Sequence, residues 1–171
     1  MADLSTFIRD VPDFPKPGIL FKDITPLLRS PEAFDRTIEE LAGPFRKERV
    51  TTVAGIESRG FIFGACVARA LGAGFVPIRK PGKLPWTKRR NEYVLEYGTD
   101  ALEIHDDALE PHDRVLIVDD VLATGGTAVA AVQLVRGFGP VLVGIATVIE
   151  LTFLDPRRKL EGIEVHTLVQ Y

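Results

Sequence analysis

Short apolar runs alternate with segments of helical periodicity from about residue 50 to residue 150, and this alternation limits the possible folds more than any other feature. Residues 50–56, 75–78, 114–118 and 141–149 are predicted strands, and residues 61–71 and 127–136 are predicted helices. The pattern predicts the α/β class, with a mostly parallel central sheet flanked by helices. Ligands bind beyond the carboxyl ends of such strands, so a site is expected just after Ile56, Ile78 and Val118.

Composition narrows the class of protein. The 171 residues suit one domain covering residues 1–171, and the formal net charge of −3 gives no general basic surface for nucleic acid. Cys66 is the only cysteine, so no disulfide framework within the chain is expected. No apolar run is long enough to span a bilayer, and the first residues lack a signal-peptide pattern. We therefore expect a cytoplasmic protein without a membrane partner.

Prolines interrupt the region before the alternation begins. Residues 10–26 contain four prolines, which remove backbone donors and fix φ, so an irregular extended arm is predicted instead of a helix or central strand. The arm also carries apolar side chains that must cover a ligand or a partner, namely Phe14, Ile19, Leu20, Phe21 and Ile24. Residues 79–91 are polar and basic and are predicted to be a loop, with short strands following at 93–97 and 101–105.

The segment from Val115 to Thr127 combines an apolar strand, an acidic pair and a glycine-containing loop before a helix. The loop consists of Ala123, Thr124, Gly125, Gly126 and Thr127, and its backbone N–H groups with the helix N-terminus predict an anion site. Neither the lysine of a Walker A loop nor the spacing of a dinucleotide fingerprint is present.

The acidic pair, Asp119 and Asp120, stands next to this anion site and would repel a phosphate unless something lies between them. A ribose 5-phosphate resolves the conflict, because its hydroxyls donate to the carboxylates while the loop binds its phosphate. The other interpretation is a generic acidic turn between a strand and a helix.

Several segments together resemble a known family. Residues 115–127 are similar to the phosphoribosyl diphosphate (PRPP) signature of the type I phosphoribosyltransferases. The whole chain resembles, more narrowly, the adenine phosphoribosyltransferases, on the evidence of residues 14–26, 55–64, 79–85, 95–98 and 168–171. The resemblance implies a type I phosphoribosyltransferase fold, with a small hood at about residues 1–30, a core at 31–171 and a flexible lid loop at about 79–95.

The resemblance also implies how the pyrophosphate end of PRPP is bound. Ser58 and Arg59 follow a strand and open a helix, where the family binds pyrophosphate, although Arg59 alone could be a surface ion pair. Arg79, Lys80 and Lys83 belong to the family's lid, which closes over pyrophosphate and excludes water. The implied catalytic residues are Arg59, Lys83 and Glu96, with Glu96 accepting the proton from N9 of the base, although a glutamate in a strand often only faces solvent.

The base site implied by the family lies under the proline-rich arm. Leu20 and Phe21 would sandwich adenine against Leu151, and the backbone of Leu20 and Lys22 would bind the purine edge. Alternatively, Leu20 and Phe21 are core residues beneath the arm.

The implied reaction converts PRPP and adenine into AMP and pyrophosphate. Mg²⁺ is the expected cofactor and would be held through substrate oxygens, without direct protein ligands. A homodimer is also implied, with Arg79 reaching the neighbouring site. Two alternatives remain, which are an enzyme for 6-oxopurines and a PRPP-sensing regulator on the same fold.

Overall fold

The structure is a computed structural model that describes residues 3–95 and 98–171. Its N-terminal part contains a short antiparallel hairpin of β1 (Arg9–Pro12) and β2 (Leu20–Asp23), followed by helices α1 (Thr25–Arg29) and α2 (Pro31–Ala42). The predicted irregular arm therefore contains two regular strands, and the prediction was wrong there. Pro12 is tolerated because it ends β1 in a two-stranded sheet, where its missing N–H leaves little of the ladder unpaired.

The central sheet has five strands in the order β4-β3-β7-β8-β9, and every neighbouring pair is parallel. After α2 the chain continues with β3 (Thr52–Ile56), α3 (Gly60–Leu71) and β4 (Gly74–Ile78). The strands β5 (Lys88–Leu95) and β6 (Gly98–His105) then form a separate two-stranded sheet, called the ribbon below. The last elements are β7 (Arg114–Leu122), α4 (Gly126–Arg136), β8 (Val141–Glu150) and β9 (Val165–Gln170). The predicted α/β class with a parallel sheet between helices is confirmed.

Apolar cores lie on both faces of this sheet, which explains why its strands are continuous apolar runs. One face packs against α2 and α3 through side chains that include Leu41, Val53, Phe63, Val67, Leu116 and Val118. The other packs against α4 and the ribbon through side chains that include Leu102, Ile104, Ile117, Ala131, Val135 and Ile145. Successive residues of β7 from Val115 to Val118 alternate between the two cores.

The basic segment after β4 is more ordered than a loop. β5 and β6 pair in continuous antiparallel register from Lys88 with His105 to Leu95 with Gly98, so the prediction of a loop was wrong at residues 88–91. A ribbon with one solvated face does not need an apolar run, which is why the polar sequence concealed it.

Two sets of contacts anchor this ribbon. Arg79 exchanges backbone hydrogen bonds with Glu103 in β6, at 2.9 and 2.7 Å. Asn91 donates to Gln133 in α4 at 2.6 Å, and Arg89 donates to the Gly137 carbonyl at 2.6 Å. Trp86, which is 63% exposed, lies between the two sets.

Candidate active site

A cleft of about 440 Å³ opens at the carboxyl ends of β3 and β7. It is therefore at the edge of the sheet where the sequence predicts a site. Predicted residues that line it are Ser58, Arg59, Lys80, Asp119, Asp120, Ala123, Thr124, Gly125, Gly126 and Thr127. The structure thus brings the two predicted anion loops and the acidic pair into one cavity.

The loop of residues 123–127, after β7, is contacted on the side away from the cleft by Pro156 and Lys159. Gly125 adopts φ +80°, a left-handed conformation, and a Cβ atom there would lie 2.9 Å from the Pro156 carbonyl oxygen. Lys159 donates to the Thr124 carbonyl at 2.8 Å from the same side. The loop backbone is therefore fixed, and the first-turn N–H groups of α4 open into the cleft, as an anion site requires.

The two carboxylates of the acidic pair have different surroundings. Asp120 is almost fully buried, and its Oδ2 accepts a hydrogen bond of 2.6 Å from Nε of Arg59. Asp119 lies under the loop, where its Oδ1 accepts from the backbone N–H of Asp120 at 2.8 Å. Burial raises the pKa of Asp119 well above its usual value, and the neighbouring charge of Asp120 raises it further. Arg59 thus neutralises the Asp120 carboxylate, whereas burial makes the Asp119 carboxylate easier to protonate.

The second anion loop is pressed against the first. The Glu57–Ser58 peptide is cis, and α3 begins two residues later at Gly60. A Cβ atom at Gly60 would lie 2.8 Å from Oδ1 of Asp119 and 3.0 Å from the Val118 carbonyl oxygen. Only glycine allows the two strand ends to approach this closely.

Glu57 connects this loop to the basic segment. Its carboxylate accepts from Nε and a terminal nitrogen of Arg79 at 3.1 and 3.2 Å, and from the backbone N–H of Lys80 at 2.9 Å. Burial favours a higher pKa for Glu57, but the hydrogen bonds from Arg79 and Lys80 outweigh it, so the pKa is lowered. Glu57 is not among the residues predicted from the sequence, because a helix and a strand separate it from Arg79.

A polar network joins the basic segment to the loop of residues 123–127. The Lys80 ammonium group contacts the Asp100 carboxylate and lies 3.2 Å from the Tyr93 hydroxyl, which is 3.1 Å from Asp100. Thr127 in turn donates to the Tyr93 hydroxyl at 3.4 Å. Burial opposes the charged form of Lys80, yet the hydrogen bonds to Asp100 and Tyr93 raise its pKa overall. Lys80 therefore remains a cation at the cleft wall.

The residues predicted for the base lie beside the cleft and do not line it. The Arg59 guanidinium is 5.2 Å from the centroid of the Phe21 ring, which brings the hairpin to the cleft edge. Leu20 is half-exposed, and the backbone N–H of Leu151 donates to the Leu122 carbonyl at 2.9 Å. The Lys22 ammonium group contacts Asp10 at 2.6 Å and the Tyr171 ring, so its charge is already engaged.

Arg79 and Lys83 belong to the basic segment but do not line the cleft. Arg79 interacts with Glu57 of its own chain and donates to the Lys83 carbonyl at 3.2 Å. Lys83 is exposed and does not line the cleft. Glu96 lies outside the described residues.

A cluster of hydrogen bonds around Glu150, which the sequence did not predict, supports the segment behind the loop of residues 123–127. Glu150, buried at the end of β8, accepts two hydrogen bonds from Arg157 at 2.7 and 2.8 Å, and one each from Thr167 and Gln170 at 3.0 Å. The hydrogen bonds from Arg157 lower the pKa of Glu150. This cluster fixes the segment that carries Pro156, which packs on Gly125. The sequence signal that could have identified Glu150 is an acidic residue at the end of an apolar strand.

Within residues 3–95 and 98–171, no three His, Cys, Asp or Glu side chains come together to hold a metal ion. No helix in these ranges is long and apolar enough to cross a membrane.

Comparison with known proteins agrees with this geometry. A model of the phosphoribosyl transferase domain matches residues 25–166. Adenine phosphoribosyltransferase from Solibacter usitatus is 58% identical over 171 residues, which is 100% of this chain and 99% of the relative. The crystal structure of adenine phosphoribosyltransferase from Rhodothermus marinus is 56% identical with a TM-score of 0.94, covering 98% of this chain and 96% of that chain.

The enzyme from Saccharomyces cerevisiae, complexed with an imino-altritol bisphosphate and adenine, is 41% identical with a TM-score of 0.91, covering 96% of both chains. The cleft, the sheet and these similarities lead to one assignment: the chain belongs to the adenine phosphoribosyltransferase family of type I phosphoribosyltransferases.

Proposed function

We propose that this protein transfers the 5-phosphoribosyl group from PRPP to adenine, giving AMP and pyrophosphate for purine salvage. The observation that carries the proposal is a single cleft that contains a phosphate-binding loop, a pair of carboxylates and two cationic side chains, Arg59 and Lys80. These groups match, in order, the phosphate, the hydroxyls and the pyrophosphate of PRPP.

The ribose 5-phosphate end would lie on the loop of residues 123–127. The loop N–H groups and the Thr124 and Thr127 hydroxyls would donate to the phosphate. Asp119 and Asp120 would accept hydrogen bonds from the ribose hydroxyls. The raised pKa of Asp119 supports this role, because donors that satisfy the buried carboxylate offset its unfavourable burial.

The pyrophosphate end would lie against the loop of residues 57–60. Ser58 and Arg59 line the cleft there, and Lys80 approaches from the basic segment. Arg79 lies behind them, held by Glu57. Lys83 would reach pyrophosphate only if the segment that carries it moves toward the cleft, which is the lid role that we assign to residues 79–95.

Adenine would bind under the hairpin. β2 pairs with β1 on one edge only, and residues two apart in a strand present their backbone groups to the same side. Leu20 and Lys22 satisfy that spacing, so their N–H and C=O groups can together recognise the purine edge. Phe21, beside Arg59, and Leu151, beside the end of β7, would limit the base pocket on its two sides.

Catalysis would depend on position and charge. The transition state of this transfer is loose, with positive charge on C1 and the ring oxygen of the ribose, so stabilisation of the departing pyrophosphate by Arg59 and Lys80 lowers the barrier. Glu96 would take the N9 proton as the bond to C1 forms. Closure of the lid would exclude water, which would otherwise attack the same carbon.

Mg²⁺ is the cofactor that we propose. Substrate oxygens and water would hold the ion, and Asp119 and Asp120 would act through the ribose hydroxyls without binding it directly. When bound, the ion would offset the charge of the pyrophosphate leaving group.

We also propose a homodimer in the cytoplasm. Ile62 and Phe75 are large apolar side chains that are 40% and 36% exposed, and Phe61 packs edge-to-face on Phe75 at 5.9 Å. Large apolar side chains that remain exposed support a subunit contact. The Arg79 guanidinium lies 5.8 Å from the Phe61 ring centroid, which would place it near that contact and the neighbouring site. The lone Cys66 fits a reducing compartment.

One assay tests the activity directly. AMP formation from PRPP is measured with adenine alone and with hypoxanthine or guanine as competing bases, with and without Mg²⁺. Adenine should be strongly preferred, and removal of Mg²⁺ should abolish turnover. Preference for hypoxanthine would indicate a 6-oxopurine enzyme. DNA binding without base-dependent release of pyrophosphate would indicate a PRPP-sensing regulator.

A further inference from the structure

Thr147 has a buried hydroxyl that the roles assigned above do not use. It lies in β8, its side chain is 1% exposed, and the residue nevertheless lines the cleft. Its Oγ1 atom has no hydrogen-bond partner in the ranges that the structure describes. A residue that lines the cleft therefore carries a buried hydroxyl that no described protein atom satisfies.

The sheet register places this hydroxyl beside the acidic pair. Thr147 pairs with Asp119 of β7, and two residues earlier Ile145 pairs with Ile117. Neighbours in register on parallel strands project from the same face of the sheet. Ile117 and Ile145 belong to the core beneath α4, so Thr147 and Asp119 lie on that face too, under the phosphate-binding loop.

Among the described residues, a buried side-chain polar atom without a hydrogen-bond partner is rare. Thr37 is as deeply buried, but its hydroxyl donates to the Ala33 carbonyl at 2.7 Å. The second buried side-chain atom without a partner among the described residues is Nε2 of His105, which belongs to the ribbon and does not line the cleft. Unpaired buried polar groups cost stability, and binding sites are where such groups are retained.

We propose that Thr147 is a further binding residue for the ribose 5-phosphate part of the substrate. Its hydroxyl gains a hydrogen bond with a ribose or 5′-phosphate oxygen when that part of the ligand enters the cleft. The inference rests on the proposed function and adds a residue to that site. It assigns Thr147 to PRPP and AMP, which contain ribose 5-phosphate, and not to free adenine.

The test uses two substitutions that separate the hydroxyl from the shape of the side chain. Thr147→Val keeps the shape and removes the hydroxyl, and Thr147→Ser keeps the hydroxyl. Thr147→Val should weaken the binding of AMP and ribose 5-phosphate roughly 3- to 10-fold, and should raise KM for PRPP similarly. KM for adenine at saturating PRPP should not change. Thr147→Ser should bind both ligands within about twofold of the unsubstituted protein.

Thermal unfolding without ligand provides a second readout, because Thr147→Val should raise Tm while it weakens ligand binding. Removing an unpaired buried hydroxyl should raise Tm in Thr147→Val by roughly 2–4 °C. Thr37→Val is the matched control, because it removes a buried hydroxyl that is paired. It should lower Tm or leave it unchanged, with no change in AMP affinity.

The outcomes separate the inference from the function on which it rests. If the unsubstituted protein binds AMP and Thr147→Val binds it equally well, the Thr147 inference is overturned and the proposed function stands. Equal weakening by Val and Ser overturns it as well, since the hydroxyl would then be irrelevant. If the unsubstituted protein binds neither AMP nor ribose 5-phosphate, both proposals fail.

Discussion

Nε of Arg59 lies 2.6 Å from Oδ2 of Asp120, so a side chain predicted for pyrophosphate and one predicted for the ribose neutralise each other across the cleft. Asp120 is nearly buried, whereas the Arg59 side chain is 41% exposed. The arginine thus compensates a desolvated carboxylate and still presents part of its guanidinium to the cavity. Substrate binding on these residues would rearrange an existing ion pair.

Arg59→Gln should raise KM for PRPP roughly 10- to 100-fold, because a charged hydrogen bond to the substrate contributes about 1.5–3 kcal/mol. The substitution also leaves the Asp120 carboxylate without its cation, so ligand-free stability should fall. Initial rates at varied PRPP and urea unfolding measure the two effects. Arg69→Gln, on the exposed side of α3, is the control and should change neither. Unchanged KM for PRPP would remove Arg59 from the pyrophosphate site.

Asp119→Asn should stabilise the ligand-free protein near neutral pH. Burial first, and then the charge of Asp120, raise the folded-state pKa of Asp119 well above 3.8. Its contribution to stability is therefore fully present below the unfolded value and is lost as pH rises through the folded value. The amide does not titrate, so the Tm advantage of the variant should be small near pH 4 and should grow toward pH 7.

Unfolding curves at several pH values measure this difference. Asp107→Asn, at an exposed turn, is the control. A Tm difference that stays constant across the pH range would contradict the assignment. The same variant should bind AMP more weakly, because an amide is a poorer acceptor for ribose hydroxyls.

Gly125→Ala should weaken AMP binding by a mechanism that Gly162→Ala does not share. Both glycines have positive φ, +80° and +76°, so both substitutions should cost about 1–2 kcal/mol of stability from backbone strain. Only at Gly125 would the new Cβ lie 2.9 Å from the Pro156 carbonyl oxygen, whereas nothing lies within 4 Å at Gly162. The clash must displace the loop of residues 123–127, which we propose binds the phosphate.

Calorimetric titration with AMP and urea unfolding separate these contributions. We expect comparable losses of stability from strain and a loss of AMP affinity only in Gly125→Ala. Equal AMP affinities in the two variants would show that contact with Pro156 does not position the loop.

Glu96→Gln should lower kcat about 100-fold with little change in KM for adenine, since a general base acts mainly in the transition state. Steady-state kinetics at saturating PRPP measure both constants. Glu92→Gln is a control, because Glu92 is an exposed carboxylate of β5 that contacts Arg90 at 2.9 Å. An effect on KM alone would assign Glu96 to the positioning of adenine.

The parts of the site that sequence could predict are those formed by contiguous residues. Asp119, Asp120 and the following loop lie in one stretch, where a strand end, a carboxylate pair and a glycine-containing turn predict a phosphate site, and all of them line the cleft. Ser58 and Arg59 could be predicted for the same reason. The parallel sheet followed from the apolar runs, because strands buried on both faces leave that pattern.

The parts that sequence missed depend on contacts between distant segments. Lys80 meets Asp100 and Tyr93 only because the ribbon folds back over the cleft wall. Glu150 meets Arg157 only after β8 has been placed in the sheet. Each of these partners has an ordinary local sequence, and packing alone determines which charges come together.

The anchors of the β5–β6 ribbon have a mechanical consequence for the lid. Arg79 is fixed to Glu103, and Asn91 and Arg89 are fixed to α4 and its end, so residues 79–95 cannot swing as one rigid flap. A motion that brings Lys83 to the cleft must therefore bend the segment between these anchored residues. Trp86, the single tryptophan of the chain, lies in that segment, so its fluorescence should report closure of the lid.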